Sequence, residues 1–124
     1  MSAAGVVVVV AAGNDGQDAA NESPARIAEA ITVGASDMND RMASFSNFGP
    51  SVNIFAPGVD IVSTSIEDDT ATLTLSGTSM AVPHVAGYAA YCFSLDSSIT
   101  PDDVVDIIKN FALDNVLTGI RKFF

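Results

Sequence analysis

A serine and the only histidine of the chain lie five residues apart in the stretch SGTSMAVPH, residues 76–84. Serine and histidine serve as nucleophile and general base in many hydrolases, so this spacing raises the question whether His84 activates Ser79. On a helix, residues five apart point about 140° away from each other. A general base must lie within hydrogen-bond reach of its partner. The spacing therefore argues against His84 as the base and favours a packed structural histidine.

The residues around Ser79 predict the N-terminus of a helix. Gly77 follows a strand-like segment, and the apolar run from Thr78 to Phe93 is typical of a central buried helix. Free backbone N–H groups at such an N-terminus favour negative charge nearby. Pro83 has no N–H to give to the carbonyl oxygen of Ser79. The alternative is an ordinary capped helix that starts with Gly-Thr-Ser, and this stretch alone favours that alternative.

A second polar group follows the apolar run VVVVVAAGNDG near the start of the chain. Residues 6–11 predict a parallel strand buried on both faces, because the run is apolar without alternation. Gly13 and Asn14 come directly after this strand. An Asn amide at the end of a strand can donate a hydrogen bond to an oxyanion. Asn and Gly are also common in turns, so a turn without chemistry is the alternative.

The rest of the chain alternates predicted strands with predicted helices. Strands are predicted at residues 30–36, 52–58, 60–66 and 70–76. The last two flank an acidic turn and are expected to form a hairpin. Thr100 as cap and Pro101 at the first helical position predict an amphipathic surface helix after the buried one. This alternation predicts an α/β layered domain.

The composition argues against several functions. The formal net charge is -10 with only five basic residues, so nucleic acid is not an expected partner. The apolar start is too short to cross a bilayer, and no membrane partner is expected. Cys92 is the only cysteine and is predicted to be a buried thiol. A small-ligand domain that uses AAGNDG as an anion loop is disfavoured, because neither GxGxxG nor P-loop spacing is present.

Four motifs occur along the chain in the order AAGNDG, VGASDMNDRMASFSNFGP, IFAPGVDIVST and SGTSMAVPHVAG. In this order they closely resemble the C-terminal part of the catalytic domain of subtilisin-like serine endopeptidases (subtilases), most of all the proteinase K-like branch. GTSMAxPHVAG is among the most specific protease signatures. The resemblance runs from about Gly5 to Ile120, and the final RKFF departs from it.

This resemblance implies a fold and one domain assignment. The fold would be part of a doubly wound parallel-sheet subtilisin-like α/β fold, truncated at its N-terminal side, with the central buried helix starting near Ser79. Residues 1–124 would form the C-terminal portion of the catalytic domain.

The resemblance also implies a role for each matched residue. Ser79 matches the nucleophile, and Asn14 matches the side-chain donor of the oxyanion hole, with the Ser79 backbone N–H as second donor. One wall of the primary substrate-specificity pocket is matched by Ala11, Ala12 and Gly13. His84 matches a histidine that is structural in the family.

Two residues of the family's catalytic triad have no counterpart in these 124 residues. The family order is Asp, His, Ser, and segments resembling DTG and HGTHVAG are absent from the sequence. We therefore expect the isolated chain to be inactive unless a second polypeptide, such as a missing N-terminal subtilase half, supplies Asp and His. The alternative is a non-catalytic remnant or decoy that binds peptides or an inhibitory prodomain.

The resemblance implies peptide or protein substrates and an extracellular or vacuolar location, although the sequence shows no signal peptide.

Calcium is the one cofactor that the resemblance brings into question. Proteinase K-like enzymes bind it partly through an Asp carboxylate, and the matching residue here is Asn53. A neutral amide is a weaker calcium ligand than a carboxylate. Backbone carbonyls near Ala28 and Ala30 would complete the site. We therefore expect no firm metal site, and at most a weak calcium site at Ala28, Ala30 and Asn53.

Overall fold

A computed structural model describes residues 5–121 of the chain. Within that range a parallel sheet is formed by strands β1 (Val9–Ala11), β2 (Ile31–Ser36) and β3 (Ile54–Pro57), in the order β1-β2-β3. An antiparallel hairpin is formed by β4 (Ile61–Thr64) and β5 (Thr72–Leu75). Helices α1 (Thr78–Leu95) and α2 (Pro101–Phe111) follow, and a 3₁₀ turn covers Ala19–Asn21. The α/β class, the parallel sheet and the hairpin predicted from the sequence are confirmed.

Strand β2 is the centre of the sheet and is buried along its whole length. It pairs with β1 through Val9 and Ile31, and with β3 through Val33 and Ile54. Glycine is required at position 34 because the Phe55 ring occupies the place where a Cβ would be. An apolar strand flanked on both edges and covered on its faces is the expected core of a parallel sheet.

Helix α1 packs across the sheet through one face. Its buried residues Ala81, Val85, Ala89 and Cys92 recur at helical spacing and join the main core, together with Val33 of β2 and residues of α2. The opposite face carries exposed Tyr88, Tyr91 and Leu95. The sequence predicted burial all round, whereas in the described residues the helix is buried on one side. The buried state of the Cys92 thiol is confirmed.

Helix α2 begins with the cap predicted from the sequence. The Thr100 hydroxyl accepts the N–H of Asp103, and the Asp103 side chain accepts the N–H of Thr100 in return. Hydrogen bonds from the Thr100 side chain and then its backbone hold the pKa of Asp103 below its ordinary value of 3.8. Pro101 lies at the first helical position.

The strand predicted at residues 6–11 is shorter in the structure. It forms ladder pairs only from Val9 to Ala11. The final segment RKFF lies outside the described residues except for Arg121. Among residues 5–121, no helix has both the length and the apolar character needed to cross a membrane.

Candidate active site

A close backbone contact between Gly58 and Gly77 fixes the N-terminus of α1. The Gly77 N–H donates to the carbonyl oxygen of Gly58 at 2.7 Å, just beyond the end of β3. A Cβ on Gly58 would lie 2.8 Å from the Gly77 carbonyl oxygen and 2.6 Å from the Ala35 Cβ. Glycine at 58 is therefore required for this close approach. It places the first turn of α1 at the carboxyl end of the parallel sheet.

Asn14 caps α1 from the end of another strand. Gly77, the residue before the helix, provides no side-chain cap. Instead, Asn14 Oδ1 accepts the backbone N–H of Thr78 at 2.8 Å and the Thr78 hydroxyl at 2.9 Å. The Gly13 N–H in turn donates to the Thr78 hydroxyl at 3.2 Å. These three bonds join the loop after β1 to the helix that begins beside Ser79.

The same bonds determine which way the Asn14 amide faces. Because the Thr78 N–H is a donor, the atom beside it must be Oδ1, and Nδ2 is the other end of the amide. Among residues 5–121, Asn14 Nδ2 forms no hydrogen bond with another protein atom. An exposed amide N–H₂ group is therefore available at the N-terminus of α1 to bind an oxygen atom.

Ser79 is exposed and directly follows Thr78, the residue that anchors this amide. Its backbone N–H belongs to the first turn of α1, where N–H groups lack intrahelical acceptors. Pro83 lies inside α1 and removes the donor for the Ser79 carbonyl oxygen, as expected from the sequence. The first turn of α1 therefore carries an exposed hydroxyl one residue after the position at which the Asn14 amide is anchored.

His84 does not contact Ser79. Its Nδ1 forms a hydrogen bond of 2.9 Å with the carbonyl oxygen of Met80, one turn earlier in α1. The ring lies at a groove between α1, β3 and α2, which Phe55 and Phe111 also line. The sequence predicted a packed core histidine, and that prediction is wrong: His84 is exposed, because this groove is open to solvent in the described residues.

The three residues predicted to form the pocket wall differ in their exposure to solvent. The side chain of Ala12 is fully buried in a small cluster with Ala19 and Ala25, and its N–H donates to the Val33 carbonyl oxygen at 2.9 Å. Ala11 and Gly13 are partly exposed. Ala12 has no solvent exposure and both of its backbone polar groups are bonded within the chain, so of the three residues only Ala11 and Gly13 reach the surface.

Two residues that organise the loop around Asn14 were not recognised from the sequence. Asn47 is fully buried and its side chain binds three backbone groups of residues 12–17. Arg121 donates to the carbonyl oxygens of Gly16 and Ser44, at 2.7 and 3.0 Å, and lies over the Phe48 ring. The turn-rich segment around Asn47 was the only available signal, since no sequence spacing links either residue to Asn14.

The residues named for calcium come together, but the described residues around them form no complete set of metal ligands. Ala28, Ala30 and Asn53 line two neighbouring pockets, one of about 260 Å³ beside Arg26 and one of about 360 Å³ that Lys109 also lines. Asn53 Oδ1 already accepts the N–H of Thr32 at 2.7 Å. The smaller pocket has no carboxylate in its lining. The larger one is lined by Glu29, Asp102 and Asp106, but these do not converge, since the described residues contain no cluster of three metal-ligating side chains. Calcium prefers several oxygen ligands including carboxylates, so no step of the chemistry is assigned to it.

Comparison with known proteins places this geometry among proteases. The profile of the Subtilase family (peptidase S8) matches residues 1–123, slightly beyond the resemblance seen in the motifs. The chain is 53% identical over 122 residues to the subtilase-type proteinase psp3 of Schizosaccharomyces pombe, covering 97% of this chain and 27% of that protein. It is 50% identical over 117 residues to a cuticle-degrading serine protease of Arthrobotrys oligospora, covering 94% and 29%.

A solved structure gives the same result at the level of the fold. The crystal structure of a cold-adapted subtilisin-like serine proteinase superposes with a TM-score of 0.92 at 41% identity, covering 97% of this chain and 43% of that one. The chain therefore spans less than half the length of each of these relatives.

Proposed function

The chain belongs to the subtilase family, and from that premise we propose that Ser79 is the nucleophile of peptide-bond hydrolysis. Residues 1–124 would form the C-terminal portion of a subtilase catalytic domain. The observation that carries the proposal is the Asn14 amide, whose oxygen accepts two hydrogen bonds from Thr78, the residue before Ser79, and whose Nδ2 has no protein partner among residues 5–121.

The proposed chemistry uses this arrangement in two steps. The Ser79 hydroxyl oxygen attacks the carbonyl carbon of the scissile bond, and the carbonyl oxygen becomes an oxyanion. Asn14 Nδ2 and the Ser79 backbone N–H donate hydrogen bonds to that oxyanion. The tetrahedral intermediate then expels the amine and leaves an ester on Ser79, which water hydrolyses.

Attack by Ser79 also requires a base for its proton. His84, the only histidine in the sequence, is bonded to the Met80 carbonyl oxygen and is excluded from this role by its direction on α1. We propose that the Asp and His of the triad lie outside these 124 residues and that the isolated chain is inactive. Loss of the triad histidine costs about 10⁶-fold in kcat, a value established for a subtilisin.

The proposed substrates are peptides or proteins that are located outside the cell. Two relatives are named for degrading cuticle, which supports an extracellular protein substrate. The partly exposed Ala11 and Gly13, supported from behind by the buried Ala12, would form one wall of the pocket for the substrate side chain.

A second candidate function is peptide binding without catalysis. The position of His84 five residues after Ser79 on α1, about 140° away around the helix, favours it, because the chain then presents donors for a carbonyl oxygen without a base for Ser79. Such a remnant or decoy would bind peptides or the inhibitory prodomain of a longer relative.

A fluorophosphonate probe separates these functions, because it labels only an activated serine. We expect no labelling of the isolated chain and labelling after addition of an N-terminal subtilase fragment that carries the triad Asp and His. Ser79→Ala is the control that must abolish any labelling. Labelling of the isolated chain would overturn the proposed inactivity. Absence of labelling with the fragment, despite complex formation, would favour the decoy.

A further inference from the structure

We infer that Asn47 is a positioning residue for Asn14: it holds the loop of residues 12–17 in the shape that brings the Asn14 amide to α1. The inference rests on the proposed role of Asn14 in binding an oxyanion. The loop leaves β1, turns through Gly13 and Gly16, and carries Asn14 on its exposed side. A loop of this kind needs a partner for its backbone groups, because it forms no regular ladder.

The Asn47 side chain supplies hydrogen-bond partners from the buried side of the loop. Its Oδ1 accepts two N–H groups, from Asp15 at 3.1 Å and Gln17 at 3.0 Å. Its Nδ2 donates to the Ala12 carbonyl oxygen at 2.9 Å. One side chain thus binds the loop before and after Asn14, and the side chain has no solvent exposure.

The chemistry requires asparagine at this position. Asparagine has both an acceptor oxygen and a donor nitrogen on one planar group, whereas an ionised aspartate is an acceptor only and alanine is neither. The space is also fitted to the amide. A Cβ on Gly13, whose φ is +101°, would overlap Asn47 Nδ2, so glycine at 13 lets the loop pass over the amide.

Asn47 is itself fixed to the sheet. Its backbone N–H donates to the Gly13 carbonyl oxygen at 2.9 Å, and its own carbonyl oxygen accepts the hydroxyl of buried Ser46 at 2.9 Å. The Ser46 hydroxyl also accepts the N–H of Ala35 in β2 at 3.0 Å. A continuous series of hydrogen bonds therefore runs from the central strand through Asn47 to the loop, and from Asn14 to α1.

Amide hydrogen exchange of the 124-residue chain, measured by mass spectrometry, tests this inference. The measured quantity is the exchange rate of residues 13–18 relative to that of α2, which corrects for global stability. In Asn47→Ala we expect this ratio to rise about tenfold or more, since the N–H groups of Asp15 and Gln17 lose their acceptor. In Asn47→Asp, which keeps the acceptor oxygens, we expect a ratio at least threefold lower than in Asn47→Ala.

A matched control separates positioning from general destabilisation. Thr32 is also fully buried, and its hydroxyl donates to the Ala25 carbonyl oxygen and to no group of residues 12–18. Thr32→Val should destabilise the fold and leave the ratio unchanged. In NMR spectra, the side-chain amide resonances of Asn14 should shift in Asn47→Ala and stay in place in Thr32→Val.

An unchanged exchange ratio in Asn47→Ala, or unchanged Asn14 resonances, would overturn the inference. Exchange of Asp15 and Gln17 in the unsubstituted chain at the rate of a free peptide would overturn it as well. None of these readouts requires hydrolysis. If the loop responds as expected while Ser79 never reacts with a probe, the proposed function fails and the positioning role of Asn47 stands.

Discussion

Replacing Thr78 by valine tests the connection between the Asn14 loop and α1. The substitution removes one hydroxyl from a fully buried side chain and keeps its branched shape. That hydroxyl donates to Asn14 Oδ1 at 2.9 Å and accepts the Gly13 N–H at 3.2 Å. The bond from the Thr78 backbone N–H to Asn14 remains. The valine variant therefore leaves Asn14 with one of its two anchoring bonds.

The expected loss of stability follows from these two bonds. Loss of the bond to Asn14 costs about 1 kcal/mol, a typical net value for a neutral hydrogen bond. The Gly13 N–H keeps no acceptor and is only partly buried, which adds about 1 kcal/mol, at the low end for an unsatisfied group. The free energy of unfolding should fall by about 2 kcal/mol. Thr78→Ser keeps the hydroxyl and should lose about 1 kcal/mol or less, from one buried methyl group.

Pulse proteolysis in urea at low protein concentration measures the change. Thr74→Val is the matched control, since Thr74 is exposed on β5 and should change the free energy of unfolding by less than about 0.5 kcal/mol. If Thr78→Val fell within that same margin, the hydroxyl would not join the loop to the helix and the reasoning would be refuted.

Three further predictions concern calcium, pH and backbone packing. Asn53→Asp supplies a carboxylate beside Ala28 and Ala30, so millimolar calcium should raise the melting temperature of this variant and not that of the unsubstituted chain. An equal response in both would contradict the assignment of Asn53 as the weak point of the calcium site. Because the pKa of Asp103 is lowered in the folded chain, its stabilising bonds to Thr100 are complete above pH 3.8 and lost as the pH falls through the folded value. Circular dichroism should show this loss and show a smaller one in Thr100→Val, which keeps only the bond from the backbone N–H to Asp103. Gly58→Ala should lower the melting temperature, whereas Gly87→Ala, with nothing within 4 Å of the added Cβ, should not.

Local sequence patterns predicted most of the elements. The capping box at Thr100, the hairpin around the acidic turn and the start of α1 at Thr78 are all determined by residues close in sequence. The apolar run after Val6 predicted a buried strand, but a run of valines does not show where ladder pairing begins. Pairing begins at Val9, where β2 provides a partner.

The candidate site was predicted in its parts but not in its connections. Ser79 and Asn14 were identified by the motifs that contain them. The roles of Thr78 and Asn47 depend on contacts across 64 and about 30 residues of sequence, which no periodicity records. The exposure of His84 was mispredicted for a related reason: its small apolar neighbours in sequence indicate a helix but not which face of that helix is covered.

The central claim is that Asn14 Nδ2 stabilises charge that develops when Ser79 attacks a carbonyl carbon. The most direct measurement is steady-state hydrolysis of a peptide substrate by the chain complemented with an N-terminal subtilase fragment, comparing Asn14→Ala with the unsubstituted chain. We predict a fall in kcat of about 10²–10³-fold, the loss established for the equivalent donor of a subtilisin, with KM nearly unchanged. A kcat within threefold of the unsubstituted value would contradict the claim.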